Sequence, residues 1–246
     1  MTAARTAPTV RILPSAADAV PLLLGEVRML LAGPVRPVLG FATGGTFTAF
    51  LQALGQELAH ERLPATALAT THLDEYLGFT PDRQGGMVHE LLMHCPPLRT
   101  RLQQGTFVPV PHGGSAAALV AHERRLAALG GVQLQLLGIG RNGHLAFNEP
   151  GTPFDRGFHV TTLAASTRDD ARARFAPAEP PTQAVTSGLA TVLAARRLVL
   201  CAFGAAKAAA VRAMLHGEVT PACPASALCT HGNVLVLLDR AAAGEV

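Results

Sequence analysis

Short, continuously apolar runs alternate along this chain with Ala/Leu-rich or amphipathic stretches. Residues 38–42 read as a buried strand and residues 48–60 as a helix. Residues 65–73 predict a second strand. Residues 115–129 predict a helix begun by a Ser cap. Further strands are expected at 132–138, 198–203 and 234–238, with a helix over 205–216 before the last. Strands that lack polar alternation and are separated by helices predict a parallel sheet covered on both faces, an α/β fold. Residues 177–181 read as a turn rather than a boundary. With no internal repeat and no long linker, residues 1–246 are expected to form a single domain.

Composition narrows the class. The chain is 49% hydrophobic and 15% charged, the opposite of a disordered balance. A mean hydropathy of +0.29 raises the question of a membrane. The longest uncharged stretch, 219–238, carries Pro221, Pro224, His231 and Asn233, so it is no bilayer helix. The N-terminal region has Arg5 and Arg11 but no apolar core followed by a cleavage site, so a cytoplasmic protein is expected. The net charge is only +3, and basic residues occur in pairs such as Arg124-Arg125 and Arg196-Arg197. With ten Phe, one Tyr and no Trp, nothing marks a nucleic-acid surface. The four cysteines show no Cys-x-x-Cys spacing and are expected as reduced thiols, Cys201 within a core strand. His89 and His94 resemble a zinc pair but lie five apart, which on a helix diverges by about 140°. No metal is expected there.

Ligands of parallel sheets bind at the carboxyl ends of strands, so the loops there should carry the chemistry. Thr43-Gly44-Gly45-Thr46 follows the first predicted strand. Its glycines and the helix start after it suit a phosphate; a plain glycine turn with a Thr cap fits equally. Leu73-Asp74-Glu75-Tyr76-Leu77-Gly78 ends the second predicted strand. Adjacent side chains there point opposite ways, so one carboxylate can face a cleft while the other is structural. A solvated loop or helix cap is the bland alternative, and Tyr76 can serve packing alone. The third loop runs from Gly138 through Gly140, Asn142, Gly143, His144, Asn148 and Glu149 to Gly151. It contains G-x-G-x-x-G, but mid-chain and stopped by Asn148, Pro150 and Gly151, so a dinucleotide fingerprint is rejected. What remains gathers one His, two Asn and one Glu. A His moves protons near neutral pH, and a carboxylate partner would fix its tautomer.

Taken together, Thr-Gly-Gly-Thr, Leu-Asp-Glu-Tyr-x-Gly and Gly-Ile-Gly-x-Asn-Gly-His-x-x-Phe-Asn-Glu-Pro-Gly-Thr resemble the glucosamine-6-phosphate deaminase family. Thr167-Arg168, Ala184-Val185-Thr186, Phe203 to Lys207 and Pro224 to Leu228 extend the resemblance over nearly the whole chain. It implies a cofactor-free enzyme with a Rossmann-like three-layer sandwich. The implied reaction converts glucosamine 6-phosphate and water to fructose 6-phosphate and ammonia. By the resemblance, His144 would shuttle the ring-opening proton, Glu149 would charge-balance it, and Asp74 would move the proton from C2 to C1. Thr43, Gly44, Gly45, Thr46 and Lys207 would bind phosphate. Asn142 stands where many members have Asp, which leaves the negative charge beside His144 to Glu149. The phosphate-binding Arg is Arg172 or Arg174, one residue either side of the usual spacing; the Phe175 that follows favours Arg174. Residues 82–95 depart from the family pattern, which touches substrate contacts. The chain ends soon after Arg240 where longer members carry an extension, so a monomer or small homo-oligomer is expected. Two other readings compete: a 6-phosphogluconolactonase-like hydrolase, which gives Asp74 no role as a carbon-acid base, and a non-catalytic phosphosugar-sensing module. The roughly 37 residues before the first predicted strand are too few for a DNA-binding domain.

Overall fold

The computed structural model describes residues 5–244. The elements follow as β1 (Thr9–Leu13), α1 (Ala19–Ala32), β2 (Val38–Phe41), α2 (Thr48–Ala59), β3 (Ala69–His72), β4 (Asp74–Tyr76), α3 (Met87–His94), α4 (Pro97–Gln103) and α5 (Ala116–Ala128). Then come β5 (Leu134–Gly138), β6 (His159–Thr162), α6 (Ala165–Phe175), β7 (Gln183–Thr186), α7 (Leu189–Leu193), β8 (Arg197–Ala202), α8 (Ala208–His216), β9 (Val234–Asp239) and α9 (Arg240–Ala243).

Six strands form one parallel sheet in the order β1-β9-β8-β5-β2-β3. All four residues of β2 are buried, as are five of six in β8 and in β9, so both faces of the central sheet are covered. That is why these strands read as unbroken apolar runs. From β2 the chain crosses to β3 in one direction; from β8 it crosses to β9 in the other. Right-handed crossovers therefore place α2 and α8 on opposite faces. Helix packing agrees: α1, α3 and α4 contact α2, while α8 contacts α9 and the 3-10 segment Pro224–Thr230. The result is a single-domain, three-layer α/β fold. Helix α2 buries Phe50, Leu51 and Leu54 on one face, the spacing an amphipathic helix requires.

Three expectations change. The first strand is β1, not β2: β1 and α1 occupy the segment ahead of residue 38, and β1 pairs with β9 at the sheet edge. The predicted 65–73 strand is only Ala69–His72, because the chain then leaves the main sheet. Its continuation, β4, pairs with β7 in a separate antiparallel sheet ordered β4-β7-β6. The segment Ala205–Lys207 is a 3-10 turn ahead of α8. Among the described residues, no helix is long and apolar enough to cross a membrane.

Chain order reverses between the neighbours β2 and β5, which lead to opposite edges. Loops diverge at such a switch point and leave a crevice at the carboxyl ends of the strands.

Candidate active site

A cleft of about 340 Å³ opens there. Its walls come from the loop after β2, the β3–β4 junction, the loop after β5, helix α6 and the turn before α8. Thr43, Gly44, Gly45, Thr46, Asp74, His144, Arg174 and Lys207 all line it. Asn142 and Glu149 stand behind His144 and hold it.

The loop after β2 turns at Gly44, whose φ of +91° is in the region that favours glycine. The turn is closed by the Phe47 N–H, which donates to the Gly44 carbonyl at 2.9 Å, and α2 starts at Thr48. Backbone N–H groups gathered at a helix start suit an anion.

Asp74 and Glu75 do point apart. Asp74 faces the cleft, while Glu75 is 1% exposed and turned to the start of α3. Glu75 accepts from the N–H groups of Met87 (3.0 Å), Val88 (2.9 Å) and Tyr76 (2.9 Å). Met87 and Val88 offer unpaired donors of a helix start, which a carboxylate satisfies well, while Tyr76 belongs to β4. Two glycines of residues 82–95 sit against this part of the site. Gly86 leaves room for the Glu75 carboxylate, and a Cβ at Gly85 would meet the Phe175 ring at 2.7 Å. Burial first, then the neighbouring Glu75 carboxylate, push the Asp74 carboxyl up to about 8, with Arg174 opposing. Tyr76 packs against Phe79, Phe147 and Phe175 beside the cleft.

His144 Nδ1 lies 3.6 Å from Glu149 Oε2, ion-pair rather than hydrogen-bond distance, and 3.3 Å from the Thr167 hydroxyl. Asn142 bridges the group: its amide donates to Glu149 Oε2 at 2.8 Å, and its carbonyl oxygen accepts from the His144 N–H at 3.1 Å. The Ala164 N–H donates to the other Glu149 oxygen at 3.1 Å. Burial alone would raise the Glu149 carboxyl. The His144, Thr167 and Asn142 side chains around it outweigh that and hold it at about 2. Ala146, two residues on, has φ +52°, the kind of backbone strain that clusters at functional loops.

Helix α6 presents the two candidate arginines differently. Arg174 reaches into the cleft, whereas Arg172 is exposed and pairs with Asp169 and Glu179. Lys207 is half-buried; burial first lowers its ammonium, and the nearby Asp170 opposes that. Two side chains that sequence reading passed over join this end of the site. Met87 Sδ accepts from the Thr43 hydroxyl and from Arg174 Nη1, and Glu90 pairs with Arg174. They stand three apart on α3, which puts both on one face of that helix. His89 and His94 lie outside the cleft lining. Among the described residues, no group of three or more His, Cys, Asp or Glu side chains is arranged to hold a metal. The four cysteines are free thiols, Cys201 in β8 as expected.

Residues 16–236 match the family described as glucosamine-6-phosphate isomerases/6-phosphogluconolactonase. Glucosamine-6-phosphate deaminase of Bacillus velezensis is 39% identical over 213 residues, covering 84% of this chain and 87% of that protein. Its counterpart from Geobacillus sp. is 40% identical over 209 residues, 82% of each chain. The solved structure of a monomeric glucosamine-6-phosphate deaminase superposes with a TM-score of 0.86 at 33% identity, over 96% of this chain and 98% of that one. A 6-phosphogluconolactonase from Trypanosoma cruzi shares the fold, with a TM-score of 0.78 at 18% identity over 100% and 99% of the two chains. Loop motifs, cleft and relatives agree: the chain belongs to the glucosamine-6-phosphate isomerase/6-phosphogluconolactonase family.

Proposed function

We propose that this chain is a glucosamine-6-phosphate deaminase, converting glucosamine 6-phosphate and water to fructose 6-phosphate and ammonia. The observation that carries this reading is the pairing, in one cleft, of a buried carboxylate at Asp74 with the His144–Glu149 pair. A lactone hydrolase has no carbon acid to deprotonate and no use for Asp74. The curated relatives named above carry the same activity in their names.

In this reading the phosphate sits on the loop Thr43 to Thr46 with Arg174 and Lys207, which fixes the far end of the sugar. His144 moves the proton between the anomeric hydroxyl and the ring oxygen, opening the ring. Glu149, held as a carboxylate, balances the imidazolium that forms in passing, and Asn142 fixes their mutual position. Asp74 then takes the weakly acidic proton from C2 and returns it to C1, work for which a positioned carboxylate is suited. Water adds at C2 and ammonia leaves, completing the balance. The whole chain acts as one catalytic domain, without a cofactor or metal, as a cytoplasmic monomer or small homo-oligomer.

The test is a panel of glucosamine 6-phosphate, galactosamine 6-phosphate and 6-phosphogluconolactone, given to the protein without added metal or nucleotide. Ammonia and a ketose phosphate should appear from an amino-sugar phosphate. Turnover of the lactone alone would replace the reading with a hydrolase, and tight phosphosugar binding without turnover would replace it with a sensor.

A further inference from the structure

Two of the donors that a phosphate would take are already engaged by a carboxylate of the chain itself. Glu90 on α3 accepts from the Gly44 N–H at 2.6 Å through Oε1 and pairs with Arg174 Nη2 at 2.6 Å through Oε2. The other terminal nitrogen of Arg174 rests on Met87 Sδ at 3.3 Å. The Glu90 side chain is only 14% exposed, so water screens these contacts little. Gly44 and Arg174 come from different parts of the fold, the loop after β2 and helix α6, and Glu90 ties them together.

We propose that Glu90 is an internal anion which the phosphate of the substrate must displace, and that it thereby sets KM and selects for a dianion. The inference rests on the phosphosugar reading of this cleft. Charge-assisted hydrogen bonds are about twice as strong as neutral ones, so a ligand must better both contacts to gain the site. A tethered carboxylate carries one charge. A phosphate ester carries nearly two at neutral pH, with three acceptor oxygens, and can outbid it. A singly charged sugar acid cannot, because the tethered rival is always at hand. If Glu90 stayed in place instead, its charge would repel the incoming phosphate across a few ångströms. Either way its negative charge opposes binding. Orienting Arg174 is the one favourable contribution the same contacts make, and it has the opposite sign in a binding experiment.

The experiment measures binding of inorganic phosphate by calorimetry to the whole protein, with KM and kcat for glucosamine 6-phosphate measured alongside. Glu90→Gln keeps the shape and removes the charge; phosphate should bind at least about tenfold more tightly, with the change in turnover seen in KM. Glu90→Ala, checked for folding by circular dichroism, should change binding in the same direction. In an Arg174→Ala background the gain from Glu90→Gln should shrink, since one of the two contacts is gone. Weaker or unchanged phosphate binding in both Glu90 variants overturns the proposal and makes Glu90 a support for Arg174. Tighter phosphate binding in a protein that turns over no amino-sugar phosphate would leave the proposal standing and remove the deaminase reading.

Discussion

Gly140 and the His144 ring occupy one space: a Cβ at position 140 would fall inside the van der Waals envelope of three ring atoms. The loop also closes on itself there, with the Gly140 N–H donating to the His144 carbonyl at 2.9 Å. Gly140→Ala must therefore push the imidazole out of line while leaving the sheet intact. A misplacement of about 1 Å can cost on the order of a hundredfold in rate. We expect kcat for ammonia release to fall by about that much, with circular dichroism unchanged. Wild-type kcat in this variant would mean that His144 has no positional demand.

Asp74 gives a pH dependence. Its carboxyl is raised to about 8 by burial and by Glu75, so it is protonated through most of the neutral range. Only the ionised form is a base. kcat/KM should rise with pH and level off above about 8. In the complex, the substrate's ammonium group favours the carboxylate, so the corresponding limb in kcat should lie at lower pH. Stability runs the other way. A raised carboxyl contributes stability in full below its unfolded value of 3.8, and this is lost as pH rises through about 8. Asp74→Asn should abolish turnover and flatten the Tm curve between about pH 4 and 8, where this loss falls. A kcat/KM limb in the ordinary carboxylate range would show that burial does not control this group.

Glu149 has the opposite sign. Its carboxyl is lowered from 4.5 to about 2, so its contribution to stability is present above 4.5 and lost as pH falls towards 2. Thermal melts of wild type and Glu149→Gln should differ most at neutral pH and converge in acid. A Tm difference that stays constant from neutral pH down to about 2.5 would contradict the shift.

Much of this was legible because burial on both faces leaves no polar alternation: β2, β8 and β9 announce themselves as apolar runs. The edge strand β1 did not. Four of its five residues are exposed or partly exposed, and Arg11 interrupts it. The strands β4, β6 and β7 are three or four residues of mixed polarity, too short to show a period. Asp74, His144 and Glu149, which lie at or just behind one cleft, were singled out through loop motifs. Glu90 was not, because its partners lie 46 and 84 positions away in the chain and only packing brings them to α3.

Helix geometry separates the two arginines of α6 and yields a paired prediction. Thr167, Asp170, Ala171 and Arg174 line the cleft at i, i+3, i+4 and i+7, one face of α6. Arg172, two residues from Arg174, is rotated by about 200° and must face away. It does, with its side chain 58% exposed beside Asp169 and Glu179. A hydrogen bond to a charged group is worth about 1.5–3 kcal/mol, which is a factor of about 10 to 150. Arg174→Ala should raise KM for glucosamine 6-phosphate by a factor in that range. Arg172→Ala removes only exposed ion pairs, worth less than about 1 kcal/mol, and should leave KM within about twofold. Equal losses in the two variants would place the phosphate elsewhere than between the Gly44 loop and this face of α6.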